Sequence, residues 1–431
     1  MSQFRLARLG LLLAAIGLTA TPALLPAAHA QAKPEAAAAE KKPDTIRADM
    51  FKLLDPKVIQ PLLAEKKFDQ AKDNLAKADA FPEKTEYEMY VIDRMKLALA
   101  SASGDDAATV VALEKVLKSP RLTPDEASNF KLALAERYYN AHDYAKAIVV
   151  LQDYLKTTAT PHPAARTMLS RSYYLSKDYA KALPDLKAAV ADAEKAGKAP
   201  TQEDLRLLAS AAAQVKDNDT TQYALEKMAA YYPSEDTWSS LLGRLMNRKG
   251  FDQRLSADVF RLEFASSQQM EAGYYVELAE LDLSAGFPTE AKKVVDAGYA
   301  AGVLGKGVDA AAHKKLRDRA NKGAADDAKN IGSGEAAAAK KPDGVGLLNL
   351  GYAYVTMDQF EKGLDLMQKG IAKGLKRPED GKILLGIAYY KAGRKDDAIK
   401  TFNSVEGDPI AKDLARYWSM FVAGPSTTAV K

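Results

Sequence analysis

The chain has 431 residues, 47% apolar and 27% charged, with 61 Lys and Arg against 57 Asp and Glu and no cysteine. Its formal charge of +4 falls to +2 once Arg5 and Arg8 are set aside, and so near a balance excludes the clustered cations of a nucleic-acid footprint. Without Cys there is no disulfide and no thiolate zinc-ligand spacing.

Residues 1–30 read as a secretory signal peptide. Arg5 and Arg8 form the positive start, Leu9 to Leu18 the apolar centre, and Ala28-His29-Ala30 a small-x-small cleavage site, so cutting after Ala30 leaves Gln31 as the new N-terminus. An uncut anchor is the alternative, but the apolar run is short and is broken by Pro22 and Pro26. No other stretch is apolar enough to span a membrane. Export with neither a disulfide nor a lipidated Cys predicts a soluble periplasmic protein stabilised by packing alone. Residues 31–44, rich in Ala, Glu and Lys with Pro34 and Pro43, read as a flexible leader.

From residue 45 to 304 the sequence predicts consecutive pairs of amphipathic helices. One spans about Phe51 to Phe81, and a second runs from about Tyr90 to Leu117 with a turn at Gly104-Asp105. In the next pair Leu134-Ala135, Tyr138, Tyr144, Ala147 and Leu151 follow a large, small, aromatic, aromatic, small, large order. After 35 residues the order returns as Leu169-Ser170, Tyr173, Tyr179, Ala182 and Leu186. Looser copies start at Leu208-Ala209, at Trp238 with Leu242-Gly243, and at Tyr275 with Leu278-Ala279. The small residues stand where paired helices cross, and the large ones fill the layer between pairs. Gly250, Gly286 and Gly393 fall at inter-helix turns, where a positive φ is needed.

This order resembles the tetratricopeptide repeat over most of the chain. The resemblance implies an all-α fold, a right-handed α-solenoid of stacked helix-turn-helix units whose first helices line a concave surface. Residues 305–343 depart from the pattern. Leu316 and Ile331 are nearly their only large apolar side chains and Gly332-Ser333-Gly334 interrupts them, so they read either as a degenerate repeat or as a linker between two arrays. Strong copies resume over 344–423 at Leu350-Gly351, Tyr354, Gly363 and Met367, and again at Leu385-Gly386, Tyr389, Ala398 and Phe402. Ala411 to Phe421 then reads as a closing helix, and 424–431 as a tail.

No catalytic, cofactor-binding or metal-binding constellation stands out, and the chain reads as a non-enzyme. His142, His162 and His313 are isolated, and His142 falls at a turn where a solvated side chain suffices. The Gly302–Gly307 run lacks the Lys-Ser/Thr pair of a phosphate loop, and Asp217-Asn218-Asp219 lacks the sixth-position Gly and twelfth-position Glu of a calcium loop. The doubled aromatics Tyr138-Tyr139, Tyr173-Tyr174 and Tyr389-Tyr390 are more telling. Neighbours in a helix point about 100° apart, so the second of each pair either faces the concave surface or packs with its hydroxyl in water. Helical spacing puts Asn129, Glu136, Asn140, Arg171, Arg206, Arg244, Asn247 and Arg248 beside Tyr139 and Tyr174 as a candidate partner-binding set. Their guanidinium and amide groups suit an extended or acidic peptide. The Lys and Asn clamp that the family uses for C-terminal carboxylates is absent.

The resemblance therefore implies a protein-interaction scaffold. The stretch Tyr274 to Leu304 is also similar to exported repeat proteins of Gram-negative bacteria, some of them associated with TonB-type transport, which implies contact with an envelope complex. The alternative is an accessory factor in polysaccharide or protein export and envelope biogenesis.

Overall fold

The computed structural model describes residues 44–425, and no strand occurs among them. The signal-peptide reading, nearly all of the leader and most of the tail lie outside the described residues. The chain divides into two compact units, one ending at Asp185 and the other beginning at Leu186.

The first unit contains α1 Ala48–Leu54, α2 Pro56–Ala64, α3 Phe68–Asp79, α4 Glu86–Ser103, α5 Asp106–Val116, α6 Pro124–Asn140, α7 Tyr144–Thr157 and α8 Pro163–Leu175. Helix α9, Tyr179–Lys195, carries the boundary between the units. Two first helices begin with a capping box in which Thr and the Glu three residues later satisfy each other's backbone N–H, Thr85 with Glu88 on α4 and Thr123 with Glu126 on α6. Each Glu also takes an Arg from an earlier helix or its cap, Arg47 at the start of α1 and Arg94 on α4. Arg47 Nε lies 2.8 Å from Glu88, and Arg94 Nη1 lies 2.7 Å from Glu126. One carboxylate thus starts a helix and ties it to its neighbour. The crossing residues Ala147 and Ala182 are fully buried.

Tyrosines at the repeat's packing position follow one design. Tyr138, Tyr173 and Tyr389 bury their rings and anchor their hydroxyls on an earlier helix, Tyr138 to Glu114, Tyr173 to Gln152 at 2.6 Å and Tyr389 to Gln368 at 2.6 Å. A cation covers each ring, from Lys146, Lys181 and Arg394 respectively. The inter-helix turns do need positive φ, with Gly286 at 84° and Gly393 at 73°. His142, Lys177 and Asp358 accept the same conformation without being glycine.

The second unit contains α10 Gln202–Gln214, α11 Asn218–Tyr231, α12 Glu235–Met246, α13 Ser256–Ser266, α14 Ala272–Ala285, α15 Pro288–Ala300, α16 Ala310–Asn330, α17 Glu335–Lys340, α18 Val345–Thr356, α19 Phe360–Lys373, α20 Pro378–Lys391, α21 Lys395–Asn403 and α22 Pro409–Ala423. Backbones come closest between α18 and α19. A Cβ on Gly351 would lie 2.5 Å from the Gly363 carbonyl, and one on Gly363 would lie 2.6 Å from the Gly351 carbonyl. Only the absence of both side chains allows that crossing.

Residues 305–343 hold one long helix and one short one, α16 and α17. Helix α16 runs unbroken through Gly323, packs on α14 and α15, and buries His313, Leu316 and Ala320. A 3-10 turn over Ile331–Gly334 and the short α17 follow it. The two arrays expected on either side share one apolar core, because Trp238, Leu242, Leu255 and Val259 cluster with Tyr352, Met367, Phe402 and Trp418. Helix α22 does cap α20 and α21, and it also packs on α11, α12 and α13. Within this unit the last helices therefore return to the first.

Candidate functional site

The candidate partner-binding residues divide between the units. In the first, Asn129, Glu136 and Asn140 are exposed on α6, beside the half-buried Tyr139. Tyr139 sets its ring edge-on to Tyr144 with centroids 5.7 Å apart, and Tyr174 on α8 does the same with Tyr179 at 5.4 Å. These second tyrosines are pinned within their own helix pair and keep part of each ring toward solvent. Arg171 is half-buried one turn before Tyr174.

In the second unit Arg206 is exposed on α10, but the other predicted groups are committed to the chain itself. Arg244 Nη2 donates to Asn218 Oδ1 at 2.8 Å, and Asn247 Nδ2 donates to the Gly243 carbonyl at 2.8 Å. Arg248 pairs with Asp413 on α22. Tyr390 is half-buried, as Tyr139 and Tyr174 are. It packs against Trp418 and Phe421 at 5.8 and 5.6 Å, beneath that same helix. The carboxylate partner expected for this part of the arginine row is thus supplied, at Arg248, by α22.

The densest charge in the unit lies in its interior, at positions the sequence reading passed over. Arg261 on α13 donates from Nε to Glu290 at 3.0 Å, from Nη1 to Asp258 at 2.7 Å, and from Nη2 to Asp282. Tyr352 on α18 donates its hydroxyl to Glu290 at 3.0 Å, and Lys391 on α20 reaches the same oxygen at 2.9 Å. The guanidinium also lies over the Tyr352 ring, 5.1 Å from its centroid. Burial would raise Glu290, but Arg261 and Lys391 overrule it and hold the carboxyl at about 2. Burial first, and then the Glu290 charge, push Asp282 well above the ordinary carboxylate range. Asp282 Oδ2 meets no donor, which suits a protonated acid. Burial raises Asp258 as well, against the opposing charge of Arg261. A signal for this cluster existed in the sequence. Arg261 interrupts the apolar run Val259-Phe260-Leu262, and Asp282 sits between Leu281 and Leu283.

Arg254 makes a second hub. It reaches Asp380 at 3.0 Å, Asp408 at 2.6 Å and Asp252 at 2.7 Å. Arg416 on α22 completes the set, pairing with Glu226 on α11 at 2.8 Å and with Asp413 on its own helix. Among the described residues no group of His and acidic side chains could hold a metal, and no helix is long and apolar enough to cross a membrane.

No family model matches the chain, and no curated protein matches it. Solved structures do. The chain is similar to yeast Tom70 at 14% identity and a TM-score of 0.25, covering 87% of this chain and 96% of that one. It is similar to Naa15/Naa10 bound to HypK-THB at 17% identity and a TM-score of 0.32, covering 84% and 53%. With the TPR domain of P58(IPK) it shares 14% identity at a TM-score of 0.22, covering 87% and 99%. The helix-pair architecture described above rests on this chain's own contacts.

Proposed function

We propose that the chain is a non-enzymatic protein-interaction scaffold of the periplasm, holding a peptide or protein partner on the first-helix face of the unit that ends at Asp185. The observation that supports this reading is the contrast at equivalent repeat positions. Tyr139, Tyr174 and Tyr390 are all half-buried, but Tyr139 and Tyr174 each meet one ring of their own helix pair, with Asn129, Glu136 and Asn140 exposed on α6, whereas Tyr390 packs against two rings of α22. Rigid aromatic rings beside amide groups suit an extended backbone, since they add contact area at small entropic cost. The signal-like residues 1–30 and the absence of Cys support the periplasmic address. The similarity of Tyr274 to Leu304 to exported repeat proteins supports a link to a TonB-type envelope system.

The test uses wild-type chain and the double variant Asn140→Ala with Tyr174→Ala as bait in periplasmic extract. Truncating anchors of this kind costs about 2 kcal/mol, roughly thirtyfold in affinity. Partners identified by mass spectrometry on the wild type should be lost from the variant while its melting temperature is kept. Full retention by a folded variant would sink the surface assignment. N-terminal sequencing of the exported chain should start at Gln31, and a cytosolic chain that keeps Met1 would overturn the address alone.

A further inference from the structure

The contact between α18–α22 and α11–α15 has the make-up of a protein–protein interface formed within one chain. Aromatic anchors occupy its centre. Trp238 meets Phe421 edge-on at 6.0 Å, Phe287 meets Tyr352 at 4.9 Å, and Trp418 Nε1 donates to the Asp258 carbonyl at 3.1 Å. Complementary charges surround them. From the α11–α15 side, Arg248 meets Asp413, Arg254 meets Asp380 and Asp408, and Lys293 meets both oxygens of Asp358 at 2.9 and 3.0 Å. In the reverse sense Glu226 meets Arg416 and Glu290 meets Lys391. The tether between the two sides is thinly packed, for Ala338 is the only buried residue in 331–343.

We propose that the face of α11–α15 is an acid-reading docking surface, and that α18–α22 of the same chain are its occupant and mask it. The surface reads a helix with acidic groups at its start and aromatic rings in its last turns, as α22 carries at Asp408, Asp413, Trp418 and Phe421. Closure combines desolvated aromatic contact with partly exposed ion pairs, so salt weakens it without abolishing it. This inference concerns the unit beginning at Leu186, and it stands or falls independently of the surface on α6 and α8.

Reversing the charges of α22 in the full chain, Asp413→Arg with Arg416→Glu, keeps the pair within the helix but sets both ends against Arg248 and Glu226. A fluorescent synthetic peptide of residues 406–424 is the probe. It should bind this variant at least about tenfold more tightly than it binds wild type, read by anisotropy. Equal binding to the two chains, strong or weak, would overturn the masking. Adding Arg248→Glu and Glu226→Arg should restore the hydrogen-exchange protection of α22, and failure to restore it would count against the pairing. Should the first variant not fold, wild type decides the matter. Exchange in α22 and in α11–α12 should rise together between about 0.05 M and about 0.5 M salt, and unchanged or unlinked exchange would refute ionic closure.

Discussion

Arg261 shows how one side chain can organise an interior and set its response to pH. Removing a guanidinium and several carboxylates from water is costly unless each charge finds partners, and here the partners come from α13, α14, α15, α18 and α20. Two carboxyls of the cluster are displaced in opposite directions. Glu290, held at about 2, contributes stability that is present above the ordinary carboxylate range and is lost as pH falls toward that value. Asp282 has a folded pKa above its unfolded one, so folding takes up a proton. Its contribution declines as pH rises from the ordinary carboxylate value toward the raised one. Asp282→Asn mimics the protonated acid, keeping a carbonyl for Arg261 and gaining an N–H for the oxygen that meets no donor. It should raise the melting temperature at neutral pH and flatten its dependence from about pH 4 upward. A lower melting temperature at neutral pH would mean that Asp282 is ionised in the folded chain.

At the scale of the helix, the pair is held by residue size at the crossing and by hydroxyl anchors between pairs. Ala182 is fully buried where α9 crosses its partner, whereas Lys181 beside it is exposed and pairs with Asp178 at 2.8 Å. Ala182→Arg buries an unpaired charge and should cost about 3–5 kcal/mol, while Lys181→Arg should stay within about 0.5 kcal/mol. Thermal melts followed by circular dichroism separate the two, and equal melting would refute the repeat register. That register was legible because Leu134, Tyr138, Ala147 and Leu151 recur as Leu169, Tyr173, Ala182 and Leu186, all of them buried. Two first helices also carry a capping signal that the periodicity reading did not use, Thr-x-x-Glu at Thr85 and Thr123. What each of those Glu side chains ties down was not legible, because Arg47 and Arg94 lie 41 and 32 residues away.

Across the molecule, 331–343 is a long thinly packed segment among the described residues, with Ala338 its one buried residue, where α16 ends and α18 has yet to begin. Among the described residues trypsin should cut first after Lys340, since few apolar contacts hold that backbone closed, whereas the Lys341–Pro342 bond resists trypsin. The nicked chain should give two bands on a denaturing gel yet elute unchanged from a native sizing column, because α18–α22 remain docked on α11–α15. Fragments that separate under native conditions would contradict that docking, and first cleavage within α6 or α7 would contradict the order of stabilities.

Local pattern alone determined the all-α class, the helix pairs, their turns and most of their buried faces. Each of these depends on residues within one or two turns of one another, or on a repeat of fixed length that shows itself by recurrence. Where the chain folds back was decided only in three dimensions. Arg248 with Asp413 and Glu226 with Arg416 are separated by 165 and 190 residues. An exposed-looking Arg reads alike in sequence whether its carboxylate belongs to a partner or to a distant helix of the same chain. For the same reason the candidate surface was only partly legible. Periodicity places Asn140 and Arg248 alike on first-helix faces, but only the tertiary structure sets Arg248 just past the end of α12 and gives it a carboxylate from α22.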